Sequence, residues 1–210
     1  MKKIRKAVED FLLLIIMAEI VMVFLFAICP RADAETRTIA PYVTPACFKV
    51  INMNGGKEIA GASGFFINNK GLALTCYHAV EEGFPVAELS DGRRVGLNVV
   101  RGSIVLDIAV LVAKVESKFL PIRSRVFIGE DIIVSAYPLG IYCLTEGSIS
   151  GEYDNRYIIS APISPGSSGG AVVDRNGWVV GMVRAYYAQG QNMNEVIPAK
   201  VIRKYLGWSE

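Results

Sequence analysis

The chain has 210 residues, 52% of them hydrophobic and 20% charged, with a formal net charge of +2. That balance excludes a disordered chain, and so small a charge, with no dense Lys/Arg stripe, gives no electrostatic basis for nucleic-acid binding. Four cysteines stand at 29, 47, 76 and 143 without C-x-x-C spacing, and with one histidine a Cys/His zinc site is not expected; neither a metal nor a cofactor is expected elsewhere.

The first ten residues, "MKKIRKAVED", are basic overall and read as a cytoplasmic end. They precede "FLLLIIMAEIVMVFLFAIC" (11–29), an apolar helical run broken only by Glu19. Its thirteen Leu, Ile, Phe and Val residues contribute about −4 to −8 kcal/mol to insertion, against roughly +3 for the acid. The run therefore reads as a transmembrane anchor or an uncleaved signal. Its length suits a span, while "ADA" (32–34) has the small-x-small form of a cleavage site, so a secreted or periplasmic product stays open. Either way the body faces the extracytoplasmic side. Residues 30–45, with two prolines in "ETRTIAPYVTP" and no apolar period, read as a linker.

From Ala46 the pattern becomes short β runs separated by turn residues. Strands are predicted in "CFKVINM", "GFFI", "LALTCY", "VAEL", "VGLNVV", "SIVLDIAVLVA", "DIIVSAY", "YCLTEGSIS", "YIISA", "GAVVD" and "WVVGMVRAYY". Asn68–Gly71, Asp91-Gly92, Asp154-Asn155 and Arg175-Asn176-Gly177 punctuate them as turns and hairpins. The last segment, "AKVIRKYLGW", reads as a helix with Val201, Ile202, Tyr205 and Trp208 on one side. About eleven close-spaced strands with one terminal helix predict an all-β body, a sandwich or a pair of barrels.

Three residues in this body carry chemistry. His78 is the sole imidazole, so no other side chain can serve as a base near neutral pH. Asp107 stands in "SIVLDIAVLVA", where both strand parities are apolar, so it reads as partly buried. A buried carboxylate needs a donor: His78, a nearby arginine or backbone amides. "GSSGG" (166–170) fits Gly-x-Ser-Gly-Gly and selects Ser168 over Ser167. A sole His, a buried Asp and a serine on a glycine turn are the parts of a nucleophilic triad.

These stretches resemble the trypsin-like serine proteases, and within them the HtrA/Deg branch. "GASGFFINNKGLALTCYHAV", "LSDGRRV" with "LDIAVLVA", "AYPLG", "APISPGSSGGAVVDRNGWVVGM" and "EVIPAKVIRKYL" are similar to five motifs of that branch, in order, across residues 46–206. The resemblance implies a chymotrypsin-like double antiparallel β-barrel, with barrels over about 46–122 and 123–198 and the active site between them. It implies that His78 is the general base, that Asp107 orients it, that Ser168 is the nucleophile, and that the Gly166 and Ser168 N–H groups form the oxyanion hole. Gly166 is expected to be glycine because a side chain would crowd the substrate carbonyl. Ser167 and Ala171 depart from the residues usual in the family (Asn or Asp, and Pro), and without an acid at 167, activation through a new N-terminus is not expected. So little chain follows the terminal helix that no PDZ domain is expected either.

The resemblance also puts Pro162 at the base of the primary substrate pocket, beside Ile163, with Met182 and Val183 on the opposite wall. Arg184 is read as pointing to solvent. Such a lining favours cleavage after Val, Ala, Ile or Leu and disfavours Lys and Arg. The expected function is a membrane-tethered or exported serine endopeptidase acting on protein or peptide substrates, with a homo-oligomer left open. The alternatives are an inactive protease fold that only captures peptides, and a membrane-bound scaffold.

Overall fold

Twelve strands form two closed barrels in the computed structural model, which describes residues 33–54, 56–186 and 192–208. The basic end and the apolar run 11–29 lie outside the described residues. Among the described residues no helix is long and apolar enough to cross a membrane.

The segment read as a linker is instead a helix, α1 (Asp33–Val43), followed by a 3-10 turn (Thr44–Ala46). Ile39 and Val43, four residues apart and hence on one face, are both buried. Their burial contributes roughly 1.5–3 kcal/mol each, comparable with the ~3 kcal/mol cost of a proline inside a helix, here Pro41. Helical propensity alone gave no such signal; the covered face supplies it.

The first barrel runs β1 (Cys47–Asn54), β2 (Lys57–Phe66), β3 (Leu72–Thr75), β4 (Phe84–Leu89), β5 (Arg94–Ser103) and β6 (Ile108–Ala113), closed in the order β1-β2-β3-β6-β5-β4. The second runs β7 (Asp131–Ala136), β8 (Cys143–Tyr153), β9 (Arg156–Ile159), β10 (Ala171–Val173), β11 (Val179–Tyr186) and β12 (Asn194–Pro198), closed in the order β10-β11-β12-β9-β8-β7. All neighbouring strands pair antiparallel. Phe48, Phe65, Phe66, Leu74 and Leu111 belong to a core that α1 also packs into, whereas Ile132, Ile149, Ile159 and Val196 belong to a separate core of the second barrel. Helix α2 (Ala199–Leu206) buries Ala199 and Ile202; Trp208 lies beyond it, with its N–H on the Arg203 carbonyl (3.0 Å).

"NEVIP" forms β12, the strand before the closing helix, and closes the second barrel between β11 and β9. One strand reading changes. "SIVLDIAVLVA" is not one strand: β5 ends at Ser103, the chain turns, and β6 begins at Ile108. Val105 at that turn is 82% exposed, yet Asp107 is only 6% exposed. The aspartate is buried, but a turn with positive φ (58°) buries it, not strand parity.

Candidate active site

Each member of the candidate triad stands on a short irregular segment held by rigid strand ends. His78 occupies a 3-10 turn (Tyr77–Ala79) directly after β3. Asp107 ends the turn between β5 and β6, and two backbone bonds join the segments: His78 N–H donates to Asp107 Oδ1 (3.0 Å) and Tyr77 N–H to the Asp107 carbonyl (3.3 Å). The imidazole Nδ1 lies 2.9 Å from Asp107 Oδ2 and 3.1 Å from Oδ1. The His78 side chain is 51% exposed and that of Asp107 only 8%, so the acid sits behind a ring open to solvent. Burial pushes the Asp107 carboxyl up, but the His78 ring and backbone donors, with the Arg184 cation, outweigh it and hold the group below its ordinary value.

Ser168 lies in the loop between β9 and β10, and the first barrel fixes that loop. Ser63 on β2 donates its N–H to the Ser168 carbonyl and its hydroxyl to the Gly166 carbonyl, both at 2.8 Å, and its Oγ accepts the Tyr137 N–H at 2.8 Å. Gly169 (φ +82°) donates to the Val183 carbonyl, and a Cβ there would stand 2.2 Å from the Ser63 carbonyl oxygen and 2.3 Å from Thr75 Oγ1. At Gly166 (φ +98°) a Cβ would meet the Tyr137 carbonyl oxygen at 2.6 Å. The glycine expected there for the sake of the substrate is thus also required by the protein's own backbone. Among the described residues, neither the Gly166 nor the Ser168 N–H donates to a protein group.

Ser167 is buried; its Oγ accepts the Ser164 N–H (3.2 Å) and closes the loop on itself. The Ser168 hydroxyl, half-buried, donates to the Arg184 carbonyl at 3.1 Å. His78 and Asp107 are therefore joined directly, while Ser168 is hydrogen-bonded to the strand that flanks them.

Pro162 is exposed and Ile163 half-buried, with Thr145 Oγ1 donating to the Pro162 carbonyl (2.7 Å). Met182 and Val183 do not line a pocket: both are fully buried. They point to opposite sides of β11, Met182 into the core shared with the first barrel and Val183 into the core of the second. Arg184 does not point to solvent. A β-bulge between Val183 and Ala185 leaves it unpaired on β11, and its guanidinium turns inward, Nε 3.3 Å from Asp107 Oδ2 and Nη1 2.8 Å from Glu195 Oε1. The buried Asp107 thus takes its hydrogen bonds from His78, with Arg184 beside it as an ion-pair partner. Ser63, Glu195 and this role of Arg184 were not anticipated. The available signal was a lone charge in the apolar strand "GMVRA", the same kind that singled out Asp107.

Cys76 Sγ, a His78 ring nitrogen and an Asp107 oxygen lie within 4.8 Å of one another, the one grouping of metal-ligand type among the described residues. Burial pushes the Cys76 thiol well up, its S–H donates to the Val183 carbonyl (3.1 Å), and the Arg184 cation faces Asp107. All three oppose a bound cation. Cys47, Cys76 and Cys143 are free thiols.

Residues 62–182, more than half of the chain, match the family model of the trypsin-like peptidase domain. This chain belongs to that family. It is 30% identical over 146 residues to a probable periplasmic serine endoprotease, DegP-like, of Bartonella henselae, a match covering 63% of this chain and 29% of that protein. A serine protease HtrA-like of Staphylococcus aureus is 35% identical over 102 residues, covering 39% and 13%. The crystal structure of the serine endoprotease from Yersinia pestis superposes with a TM-score of 0.76 at 25% identity, covering 81% of this chain and 65% of that one. This trypsin-like chain thus spans less than a third of the length of these curated relatives.

Proposed function

We propose that the protein is a serine endopeptidase of HtrA type that hydrolyses peptide bonds of protein or peptide substrates through His78, Asp107 and Ser168. The observation that carries this reading is the sole imidazole, bound by Asp107 through both its ring and its backbone N–H. In the reaction, Ser168 Oγ leaves the Arg184 carbonyl and gives its proton to His78 Nε2 as it attacks the scissile carbonyl. Asp107 holds the Nδ1–H tautomer and balances the imidazolium. The Gly166 and Ser168 N–H groups take the oxyanion, each such donor being worth about 10²–10³ in kcat. His78 then protonates the leaving amine, and water repeats the sequence on the acyl-enzyme.

The protease body is residues 46–206. Residues 11–29 tether it to a membrane with the body on the extracytoplasmic side, or are removed near Ala34; the periplasmic character of the Bartonella relative supports export. With Met182 and Val183 withdrawn into the cores, Pro162 and Ile163 remain as the apolar lining that favours small aliphatic residues before the cleaved bond. Cleavage of an unbiased peptide library checks this; dominant cleavage after Lys or Arg overturns it.

A fluorophosphonate probe tests the activity. A covalent adduct on Ser168 of the folded protein is expected, lost in Ser168→Ala; a folded wild type that stays unlabelled overturns the reading. One observation favours peptide capture without turnover as the second reading: the Ser168 hydroxyl is bonded to Arg184.

A further inference from the structure

Behind the His78–Asp107 pair runs a row of alternating charges drawn from three more segments. Asp107 Oδ2 faces Arg184 Nε at 3.3 Å, Arg184 Nη1 reaches Glu195 Oε1 at 2.8 Å, and Glu195 Oε1 also takes Arg156 Nε at 3.0 Å. Arg184 comes from the bulge of β11, Glu195 from β12 and Arg156 from the start of β9. Both acids are buried, Glu195 at 8% exposure. Cys76, at the end of β3, is the other titratable group facing Asp107 and Arg184; its thiol is neutral, because burial raises it well above its ordinary value.

A half-buried arginine beside the acid of a His–Asp pair has two physical effects. It pins the carboxylate, which then presents a fixed edge to the imidazole. It also draws on the field of that carboxylate, so Asp107 stabilises an imidazolium less than it would alone. Glu195 acts in the opposite sense, because it neutralises Arg184 from the far side. Arg184 also holds Ser168 through its carbonyl, so one bulged position touches both ends of the candidate triad.

Resting on the peptidase reading of this site, we propose that Arg184 is a positioning residue: clamped by Glu195, its guanidinium holds Asp107 against His78 and sets how much positive charge the imidazole can carry. Removing the cation strengthens the hold of Asp107 on a protonated ring; removing Glu195 leaves Arg184 uncompensated and weakens it. The two substitutions therefore act with opposite sign, whereas simple loosening of the site drives both toward one value, that of a free imidazole.

The test uses full-length protein labelled with isotopic histidine, which reports a single ring. Its NMR titration midpoint is compared among wild type, Arg184→Gln, Arg184→Lys and Glu195→Gln. Arg184→Gln is expected to raise the midpoint by about half a pH unit or more and Glu195→Gln to lower it by a similar amount. Arg184→Lys, which keeps the charge, is expected to stay near wild type. The acid limb of kcat/KM moves in the same directions. Midpoints that do not move, or that move the same way in both neutralised variants, overturn the proposal. Opposite shifts in a protein that fluorophosphonate does not label uphold the coupling and overturn the peptidase reading; labelling with unchanged midpoints does the reverse.

Discussion

Ser63 and Ser168 belong to different barrels and are joined backbone to backbone, the Ser63 N–H donating to the Ser168 carbonyl at 2.8 Å. The Ser63 side chain adds two further 2.8 Å bonds, one to Gly166 and one from Tyr137. The Ser168 loop of the second barrel is thus held by a strand of the first. Its conformation depends on how the barrels dock.

Ser63→Ala removes both side-chain bonds and leaves a half-buried carbonyl and a buried N–H without them. A loss of about 1–3 kcal/mol of stability is expected. Probe labelling should slow by more than the stability loss explains, because the Gly166 carbonyl belongs to the peptide that follows the proposed oxyanion donor. Thermal denaturation beside labelling rates measures both; equal labelling rates would show that the loop holds its shape without Ser63.

Gly169→Ala places a methyl 2.2 Å from one oxygen and 2.3 Å from another, at positive φ. Neither oxygen belongs to a long flexible side chain, so the barrels must separate locally. A cost of at least about 3 kcal/mol is expected, read as a large fall in Tm or as insoluble protein. A Tm within a few degrees of wild type contradicts this packing.

Ser167 and Ser168 separate by variant. Ser168→Ala should keep the fold and lose peptide cleavage by at least ~10⁴-fold. Ser167→Ala should keep labelling at Ser168 and lose about 1 kcal/mol, since its buried Oγ accepts a backbone N–H. Retained labelling in Ser168→Ala reverses the assignment.

Asp107 makes stability depend on acid pH. Its folded value is lowered from the ordinary 3.8, so its contribution is fully present above that value and is lost as the pH falls through the lower, folded one. Asp107→Asn lacks this contribution at every pH. Measured between about pH 5 and pH 2, the Tm gap between wild type and Asp107→Asn should therefore close as the pH falls below about 4. A gap that widens in acid contradicts the sign.

The sequence by itself determined the all-β class, the hairpin turns and the closing helix, and it singled out His78 and Ser168 as candidates. Each rests on local chemistry: alternation, Gly and Asn at turns, a single imidazole, a serine before paired glycines. Asp154 and Asn155, read as a hairpin turn, do take positive φ (47° and 56°) between β8 and β9. Only the tertiary structure decided the rest. Residues 35–43 are helical because Ile39 and Val43 meet a core built by distant strands. Met182 and Val183 leave the pocket because both faces of β11 are covered. Arg184 turns inward because a one-residue bulge, set by pairing with β12, re-aims its side chain onto Asp107 and Glu195. Alternation along a strand tells which residues share a face, but what each face meets depends on distant partners, such as Cys76 and Val183, 107 positions apart. That information enters only when the barrels close and dock.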